Sequence, residues 1–173
     1  MSEEAHSIFI EQVNQHIGIA HKVCRIYFAD SDDRDDVLQE MMYQLFRSYG
    51  SFAGQSKFST WMYRVCLNTA LTYKRKNKKY ATESLSDRHK QIPDRLTGNK
   101  DDEVKMLLET IASLTPVNKA IVLLYLDDLS YDEIANITGL TKSNVSVRLV
   151  RIKKELEVEL KRKLKLRDNV NFR

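Results

Sequence analysis

Five carboxylates stand between residues 32 and 40, and their spacing could support metal chemistry. Asp32, Asp36 and Glu40 recur every four residues, which places them on one helix face. Such a group can bind Mg²⁺, so a nuclease is one class of function to weigh. Acidic residues at a helix N-terminus are also favoured by the helix macrodipole without any metal. Since no second carboxylate group or catalytic Lys accompanies them, we expect no metal site. The cluster comprises Asp32, Asp33, Asp35, Asp36 and Glu40.

The two cysteines carry no sign of catalysis. Cys24 and Cys66 each fall on the apolar stripe of a predicted helix, where buried free thiols are usual. No CxxC pair or neighbouring His accompanies them, so a zinc site is not expected. The sequence also lacks a nucleophile constellation and a phosphate-cradling Gly loop. We therefore expect no enzyme activity, no cofactor and no small-molecule substrate.

The segment KFSTWMYRVCLNTALTYKRKNKKY, residues 57–80, begins with aromatic residues and ends in cations. Read as one helix, it has two arcs. The arc expected in the core comprises Met62, Val65, Cys66, Thr69, Ala70 and Tyr73. The complementary arc comprises Trp61, Arg64, Asn68, Thr72, Arg75 and Lys79. A stacking ring beside cations suits single-stranded or partly melted DNA, although a lone Trp is more often buried in a core.

The composition is typical of a soluble, largely helical chain, and the positive net charge favours an acidic partner. The 173 residues carry a net charge of +4 with only two Pro and five Gly. The charges are segregated, because acids crowd at residues 30–40 and bases at 74–79 and 142–167. No apolar run approaches the roughly 18 residues of a membrane span, and the start MSEEAHS is acidic, so we expect a cytoplasmic protein.

Apolar periodicity predicts four helices in the first part of the chain and at least four in the second, with no strands. One helix is predicted over residues 7–28 on the stripe Phe9, Val13, Ile17, Ala20, Cys24 and Tyr27. Asp32 or Asp33 is expected to cap the next helix, which ends at Gly50. Its stripe is Val37, Leu38, Met41, Met42, Leu45, Phe46 and Tyr49. Ser59 or Thr60 is expected to cap the helix that carries Trp61.

Residues 81–102 are polar and aperiodic, and they contain Pro93 and Gly98. We interpret this segment as a flexible linker. The fold class is therefore all-α, with two small helical domains at residues 1–80 and 103–173. A helix is predicted over 103–113 in the second domain.

The second domain also has the signals of a helix-turn-helix. Thr115 and Pro116 open one helix, and Ser130 with Glu133 forms a capping box for a helix over 130–138. Gly139 is expected to end that helix in the left-handed conformation. Thr141 is expected to cap the final helix, which is rich in cations.

The final helix has an inward and an outward face. The inward stripe is Val145, Leu149, Ile152, Leu156 and Leu160. The outward face carries Ser143, Asn144, Ser146, Val147, Val150, Arg151 and Lys154. Short polar groups at the start of such a helix can reach base edges in a major groove, while cations further along meet phosphates. The alternative is the solvated face of an ordinary helical hairpin.

Two stretches resemble conserved regions of bacterial sigma factors. DDRDDVLQEMMYQLFRSYGSFAGQSKFSTWMYRVCLNTALTYKR is similar to region 2, and LTPVNKAIVLLYLDDLSYDEIANITGLTKSNVSVRLVRIKKEL is similar to region 4. The extracytoplasmic-function type keeps only these two regions, joined by a linker. The resemblance implies a factor that binds core RNA polymerase, directs it to promoters and assists promoter melting.

The resemblance also implies residue roles. Asp36, Gln39 and Glu40 match a D-x-x-Q-E signature, which implies docking on the clamp helices of the largest polymerase subunit. Residues implied to contact the melted minus-ten strand are Phe52, Trp61, Arg64, Asn68, Arg75, Lys78 and Lys79. Residues implied to contact the minus-thirty-five duplex are Lys142, Ser143, Asn144, Ser146, Val147, Arg148, Arg151 and Lys154. Implied partners are core polymerase, through its clamp helices and flap, promoter DNA and an anti-sigma factor, often membrane-anchored.

Some positions depart from the family pattern. Thr72 stands where many relatives carry Asp, and Lys142-Ser143-Asn144 replaces a commoner Val-Gly-Thr. Promoter sequence therefore does not transfer from relatives. A helix-turn-helix regulator that acts without polymerase is the rival interpretation, and copurification with core polymerase separates the two.

Overall fold

The computed structural model describes residues 3–81 and 99–171, with side chains over 3–76 and 104–166. All regular structure in these ranges is α-helix, as predicted, with four helices in each part of the chain. The helices are α1 (Glu3–His16), α2 (Gly18–Tyr27), α3 (Ser31–Tyr49), α4 (Phe58–Ala81), α5 (Asn99–Ser113), α6 (Pro116–Leu126), α7 (Tyr131–Thr138) and α8 (Lys142–Asn171).

The chain divides into two compact units, Met1–Ile92 and Pro93–Arg173. The division falls within the linker predicted for residues 81–102, most of which lies outside the described residues. Helix α5 is Asn99–Ser113, so it begins four residues before the predicted start near residue 103 and ends at the predicted residue. Residues 99–102 of the predicted linker therefore belong to α5.

The prediction of one helix over residues 7–28 is also wrong, because the helix is interrupted at Ile17. Gly18, a weak helix former, follows at the start of α2. At the end of α1, Nδ1 of His16 donates to the carbonyl oxygen of Gln12 over 2.9 Å. The apolar stripe survives the break, since Phe9 and Val13 on α1 are buried, as are its members on α2.

The caps of α3 and α4 differ from expectation. Asp30, and not Asp32 or Asp33, caps α3, because its backbone is extended and its carboxylate accepts the amides of those two residues at 2.9 and 3.4 Å. Helix α4 begins at Phe58, which is buried, so Ser59 and Thr60 lie inside the first turn and are not caps.

In the first unit, α3 and α4 pack on α2 around a core that includes both thiols. Cys24 and Cys66 are buried and free, as predicted, and the Cys24 thiol lies 3.7 Å from the Met41 sulfur. Burial raises the pKa of Cys24 to about 11 and that of Cys66 to about 12. Sequence periodicity missed Tyr63 and Leu67, which are also buried and widen the inward face of α4.

The second unit confirms the helix-turn-helix formed by α7 and α8. The Ser130 hydroxyl accepts the Glu133 amide, and the Glu133 carboxylate accepts the Ser130 amide at 2.9 Å, so the capping box is complete. Gly139 is left-handed at φ 73°, and Thr141 Oγ1 accepts the Asn144 amide at 3.2 Å. The core side chains are Ile111, Ile121, Leu124, Ile134, Val145, Leu149 and Ile152.

Candidate nucleic-acid interfaces

Four aromatic rings converge where the α3–α4 loop meets α4. The Phe52 ring from the loop lies 5.1 Å from the Trp61 ring, at an interplanar angle of 39°. The Phe58 ring lies 5.2 Å from Trp61, and the Tyr49 ring lies 6.2 Å from it. Phe9 of α1 in turn lies 4.8 Å from Tyr49, so α1 supports the same cluster. We call Phe52 and Trp61 the ring pair.

The ring pair is packed on one side and open on the other. Phe52 and Trp61 are both half-buried, whereas Phe58 beneath them is buried. Trp61 is therefore neither a fully buried core residue nor a free surface ring. Such a half-exposed aromatic surface on a rigid base is suited to stacking an unpaired base. The support that Tyr49 and Phe58 give to the ring pair was not predicted from the sequence, because Tyr49 was assigned to the apolar stripe of α3.

The outward arc of α4 continues from the ring pair as a polar face. Arg64, Asn68, Thr72 and Arg75 are all exposed. Lys78 and Lys79 fall within the α4 backbone, but their side chains lie outside the described residues. The structure therefore brings Trp61 onto the same face as an amide and two guanidinium groups.

Lys74 differs from its basic neighbours. It is half-buried, and its ammonium lies 5.6 Å from the centre of the Phe28 ring. Burial lowers its pKa from the usual lysine value, and the nearby Asp33 carboxylate opposes that change. Lys74 therefore belongs to the contact between α4 and Phe28, the residue that follows α2, and not to the exposed basic face.

The D-x-x-Q-E residues share one exposed face of α3. Asp36, Gln39 and Glu40 are exposed, and Glu40 Oε1 accepts the Gln44 side-chain amide at 2.8 Å. Tyr43, which the sequence interpretation did not single out, follows on the same face with 56% of its surface exposed. The face thus combines carboxylates with a large exposed ring.

The acidic cluster does not form a metal site in the described part of the chain. No group of three or more His, Cys, Asp or Glu residues there could hold a metal ion. Asp30 caps α3, and Asp32 and Asp33 lie in its first turn, where the helix dipole favours them.

The outward face of α8 begins with short polar side chains and continues with cations. Ser143 and Asn144 are exposed and Ser146 is half-buried. Arg151 and Lys154 are exposed further along the helix. On the opposite stripe Val145, Leu149 and Ile152 are buried, as predicted, whereas Leu156 and Leu160 are half-buried.

Two predicted DNA contacts already have protein partners. Lys142 Nζ lies 2.7 Å from an Asp132 carboxylate oxygen on α7, and Arg148 Nη1 donates to Asn118 Oδ1 on α6 at 3.2 Å. The Lys142–Asp132 ion pair lies at the surface, where such a pair contributes at most about 1 kcal/mol. These contacts connect the first turns of α8 to α7 and α6.

Among the helices of the described residues, none combines the length and apolar character that a membrane span requires.

Each of the two units matches a known protein family. Residues 12–80 match the model for Sigma-70 region 2, and residues 105–156 match that for Sigma-70, region 4. The ECF RNA polymerase sigma-E factor of Escherichia coli K12 is 32% identical over 152 residues, which cover 79% of this chain and 80% of that protein. RNA polymerase sigma factor SigV of Bacillus subtilis is 26% identical over 157 residues, covering 89% of this chain and 92% of SigV.

Two solved structures share the fold. RpoE of Bartonella quintana, solved with the anti-sigma factor NepR, matches with a TM-score of 0.76 at 18% identity, over 88% of this chain and 96% of that one. CnrH, solved with the cytosolic domain of CnrY, matches with a TM-score of 0.65 at 20% identity, over 90% of this chain and 89% of that one. The ordered pair of sigma-70 regions, the sigma-E relative and the shared all-helical fold together show that this chain belongs to the extracytoplasmic-function (ECF) group of RNA polymerase sigma factors, which are DNA-binding factors of transcription initiation.

Proposed function

We propose that this sigma factor holds the melted minus-ten strand at the ring pair and reads the minus-thirty-five element as duplex through α8. One observation carries the proposal for the first unit. The half-exposed rings of Phe52 and Trp61 lie 5.1 Å apart beside the exposed polar face of α4. Stacking surface and cations in one place are what an unpaired strand requires.

The rings and the cations of the first unit have separate tasks. Phe52 and Trp61 stack on a base that has left the duplex, and Asn68 and Arg64 reach base edges and backbone beside them. Arg75, with Lys78 and Lys79 further along α4, attracts phosphates whether or not the strands are paired. Opening therefore depends on the rings, and initial binding depends on the cations.

In the second unit, the start of α8 enters the major groove. Ser143, Asn144 and Ser146 lie nearest base edges, with Lys142, Val147 and Arg148 beside them. Arg151 and Lys154 contact phosphates. These positions are exposed, except for the half-buried Ser146, and they lie opposite the buried Val145, Leu149 and Ile152, which supports this assignment.

Polymerase binding is assigned to both units. The α3 face of Asp36, Gln39 and Glu40 docks on the clamp helices of the largest subunit, and the second unit meets the flap. In this proposal the unit that contains α1 to α4 is the core-binding and minus-ten domain, and the unit that contains α5 to α8 is the minus-thirty-five domain. The residues between Ala81, where α4 ends, and Asn99, where α5 begins, are the linker. The factor acts in the cytoplasm as a non-enzymatic subunit, because polymerase itself forms the phosphodiester bonds.

An anti-sigma factor is the proposed regulator. RpoE, which shares this fold, was solved with the anti-sigma factor NepR, and CnrH, which also shares it, was solved with the cytosolic domain of CnrY. By analogy, a partner that is often membrane-anchored covers polymerase-binding surface on this chain until it is released. A pull-down from uninduced cells that recovers only polymerase subunits would contradict this part of the proposal.

Copurification with core polymerase tests the assignment of α3. Glu40→Arg is expected to lower the yield of holoenzyme about tenfold, because it reverses the charge of one residue on the docking face and so opposes electrostatic complementarity with the partner. Glu11→Arg is the matched control, since Glu11 is also an exposed helical carboxylate that accepts a hydrogen bond from a Gln four residues later. Equal yields from both variants would show that polymerase binds elsewhere.

The rival functions give different results in the same preparation. A regulator that works without polymerase would bind duplex DNA but leave core polymerase unable to start at specific promoters. A nuclease would cleave DNA when Mg²⁺ is added. Our proposal expects promoter-specific transcripts from core polymerase plus this chain and no Mg²⁺-dependent cleavage by the chain alone.

A further inference from the structure

Two valines on α8 are exposed on the side that faces away from the core of the second unit. Val147 exposes 49% of its surface and Val150 exposes 68%, whereas Val145 and Leu149 on the same helix are buried. Residues three apart are neighbours on one helix face. Val147 and Val150, which we call the valine pair, therefore form a small apolar patch in the second and third turns of α8.

Neither packing nor helix propensity accounts for valine at these positions. A β-branched side chain is a weaker helix former than Ala, Arg, Lys or Glu. Its exposed apolar surface is also unfavourably hydrated. Single exposed apolar residues are common on proteins, and Val158, 57% exposed further along α8, shows that exposure alone proves nothing. The valine pair is distinguished by its neighbours.

Those neighbours have the character of a groove-facing surface. Ser143, Asn144 and Ser146 precede or flank the valine pair, and all three are short, so the valine methyl groups remain uncovered. Arg151 and Lys154 lie on the same exposed face one turn further on. The cations of this face are complementary to the phosphates that line a duplex groove. The apolar patch and the short polar groups are complementary to the base edges between them.

We infer that the valine pair reads thymine in the minus-thirty-five duplex through the thymine C5-methyl group. The inference rests on the proposed reading of duplex DNA by α8. Among the base edges of the major groove, the thymine methyl is the apolar group, and it is a known target of apolar side chains. Contact with one methyl group changes affinity about fourfold. The valine pair thus contributes specificity, while Arg151 and Lys154 contribute affinity for any sequence.

Val158 provides a matched control. It is an exposed valine on the same helix, and it lies about 16 Å beyond Val147 along the axis at roughly 1.5 Å per residue. Only the first turns of a recognition helix enter the groove. Val158→Ala therefore makes the same chemical change outside the proposed contact.

The test uses holoenzyme assembled from core polymerase and the full chain. Wild-type holoenzyme first selects promoter fragments from genomic DNA of the source cells, and alignment and footprinting define the upstream element. Each thymine of that element is then replaced by deoxyuridine, which removes the methyl group and keeps every hydrogen-bonding group. Wild type is expected to lose about fourfold in affinity at one or two adjacent positions.

Substitution of the valines completes the test. Val147→Ala and Val150→Ala are expected to bind thymine and deoxyuridine duplexes equally at the position that each side chain reads. Val158→Ala is expected to keep the full preference for thymine. Circular dichroism checks that each variant is as helical as wild type. The comparison of thymine and deoxyuridine duplexes with wild-type holoenzyme does not depend on the folding of any variant.

The possible results separate the inference from the proposed function. Equal wild-type affinity for thymine and deoxyuridine at every position overturns the inference but leaves promoter selection intact. An unchanged thymine preference in both Val147→Ala and Val150→Ala also overturns the inference and leaves promoter selection intact. Failure of the holoenzyme to select any duplex overturns the proposed function and the inference together.

Discussion

The ring of Phe52 lies 5.1 Å from the ring of Trp61, and the two rings are tilted by 39°. Phe52 belongs to the loop after α3, and Trp61 belongs to the first turn of α4. Phe58 and Tyr49 support Trp61 from the protein side. The ring pair is therefore held in place by the protein itself, and under the proposed function this lowers the cost of ordering the two rings for base capture.

Trp61→Ala is expected to impair promoter opening and not initial binding. Duplex affinity of the holoenzyme should stay near normal, because the cations of α4 are unchanged. Loss of one stacking contact costs about 1–3 kcal/mol and should reduce open complex roughly five- to a hundredfold. Permanganate reactivity of unpaired thymines measures the opening.

A conservative variant separates stacking from folding for Trp61. Trp61→Phe keeps a ring in contact with Phe58 and should recover much of the opening. Thermal unfolding of both variants shows whether the aromatic cluster tolerates the change. Wild-type permanganate reactivity and transcription in Trp61→Ala would show that the ring does not stack on the melted strand.

Arg151→Ala is expected to weaken binding to all duplex sequences by a similar factor. If Arg151 contacts a phosphate, its loss should lower the slope of log affinity against log salt by about one unit. Lys161→Ala is the control, because Lys161 lies further along α8 and pairs with Glu157 on its own helix. A changed sequence preference with an unaltered salt slope would assign Arg151 to a base edge instead.

Gly139→Ala is expected to destabilise the second unit by about 1–2 kcal/mol, because φ is 73° at this residue and a side chain is strained there. A Cβ at Gly139 would meet no atom within 4 Å, so the cost arises from the backbone alone. Gly18→Ala is the control: it is equally unobstructed but lies at the start of a helix, and it should be neutral or stabilising. Urea unfolding followed by circular dichroism measures both, and equal midpoints would contradict the expectation.

The two thiols are expected to react slowly in the folded chain. Burial raises the pKa of Cys24 to about 11 and that of Cys66 to about 12, from an ordinary value of 9.0. At pH 8 their thiolate fractions should be roughly 100-fold or more below those of the unfolded chain, and labelling by a thiol reagent should slow accordingly. Fast labelling of either thiol in native buffer would show that its helix opens readily.

The raised pKa values of Cys24 and Cys66 also determine in which direction the stability of the fold changes with pH. Unfolded thiols ionise from about pH 9, whereas the folded thiols stay neutral until about pH 11 to 12. Their contribution to stability is therefore complete below pH 9 and is lost as pH rises towards 11 to 12. Replacing both cysteines by Ala should remove this part of the pH dependence, and urea unfolding at pH 8 and 10 measures it.

Local interactions explain the features that could be predicted from the sequence alone. The capping box of Ser130 and Glu133, the left-handed Gly139 and the Thr141 cap each join residues within one turn, so the order of residue types predicts them. The inward stripe of α8 follows from helical period in the same way. These signals were enough to predict the helix-turn-helix and its exposed face.

Contacts between distant residues could not be predicted in this way. The sequence places Phe52 and Trp61 near each other along the chain, but only the packing of Tyr49 and Phe58 around them makes a half-exposed pair. The cap at Asp30 was missed for a different reason. It is a local contact, but Asp30, Asp32 and Asp33 stand close together and each is a residue type that caps helices.

The sequence therefore determined the helices, the order of the two units and the polar faces, because hydrophobic period and capping act over a few residues. The tertiary structure determined which side chains on those faces have protein partners. Arg148 is held by Asn118 of α6 and Lys142 by Asp132 of α7, while the valine pair is left exposed. Such pairings depend on how separate helices pack against one another, and periodicity within one helix carries no information about them.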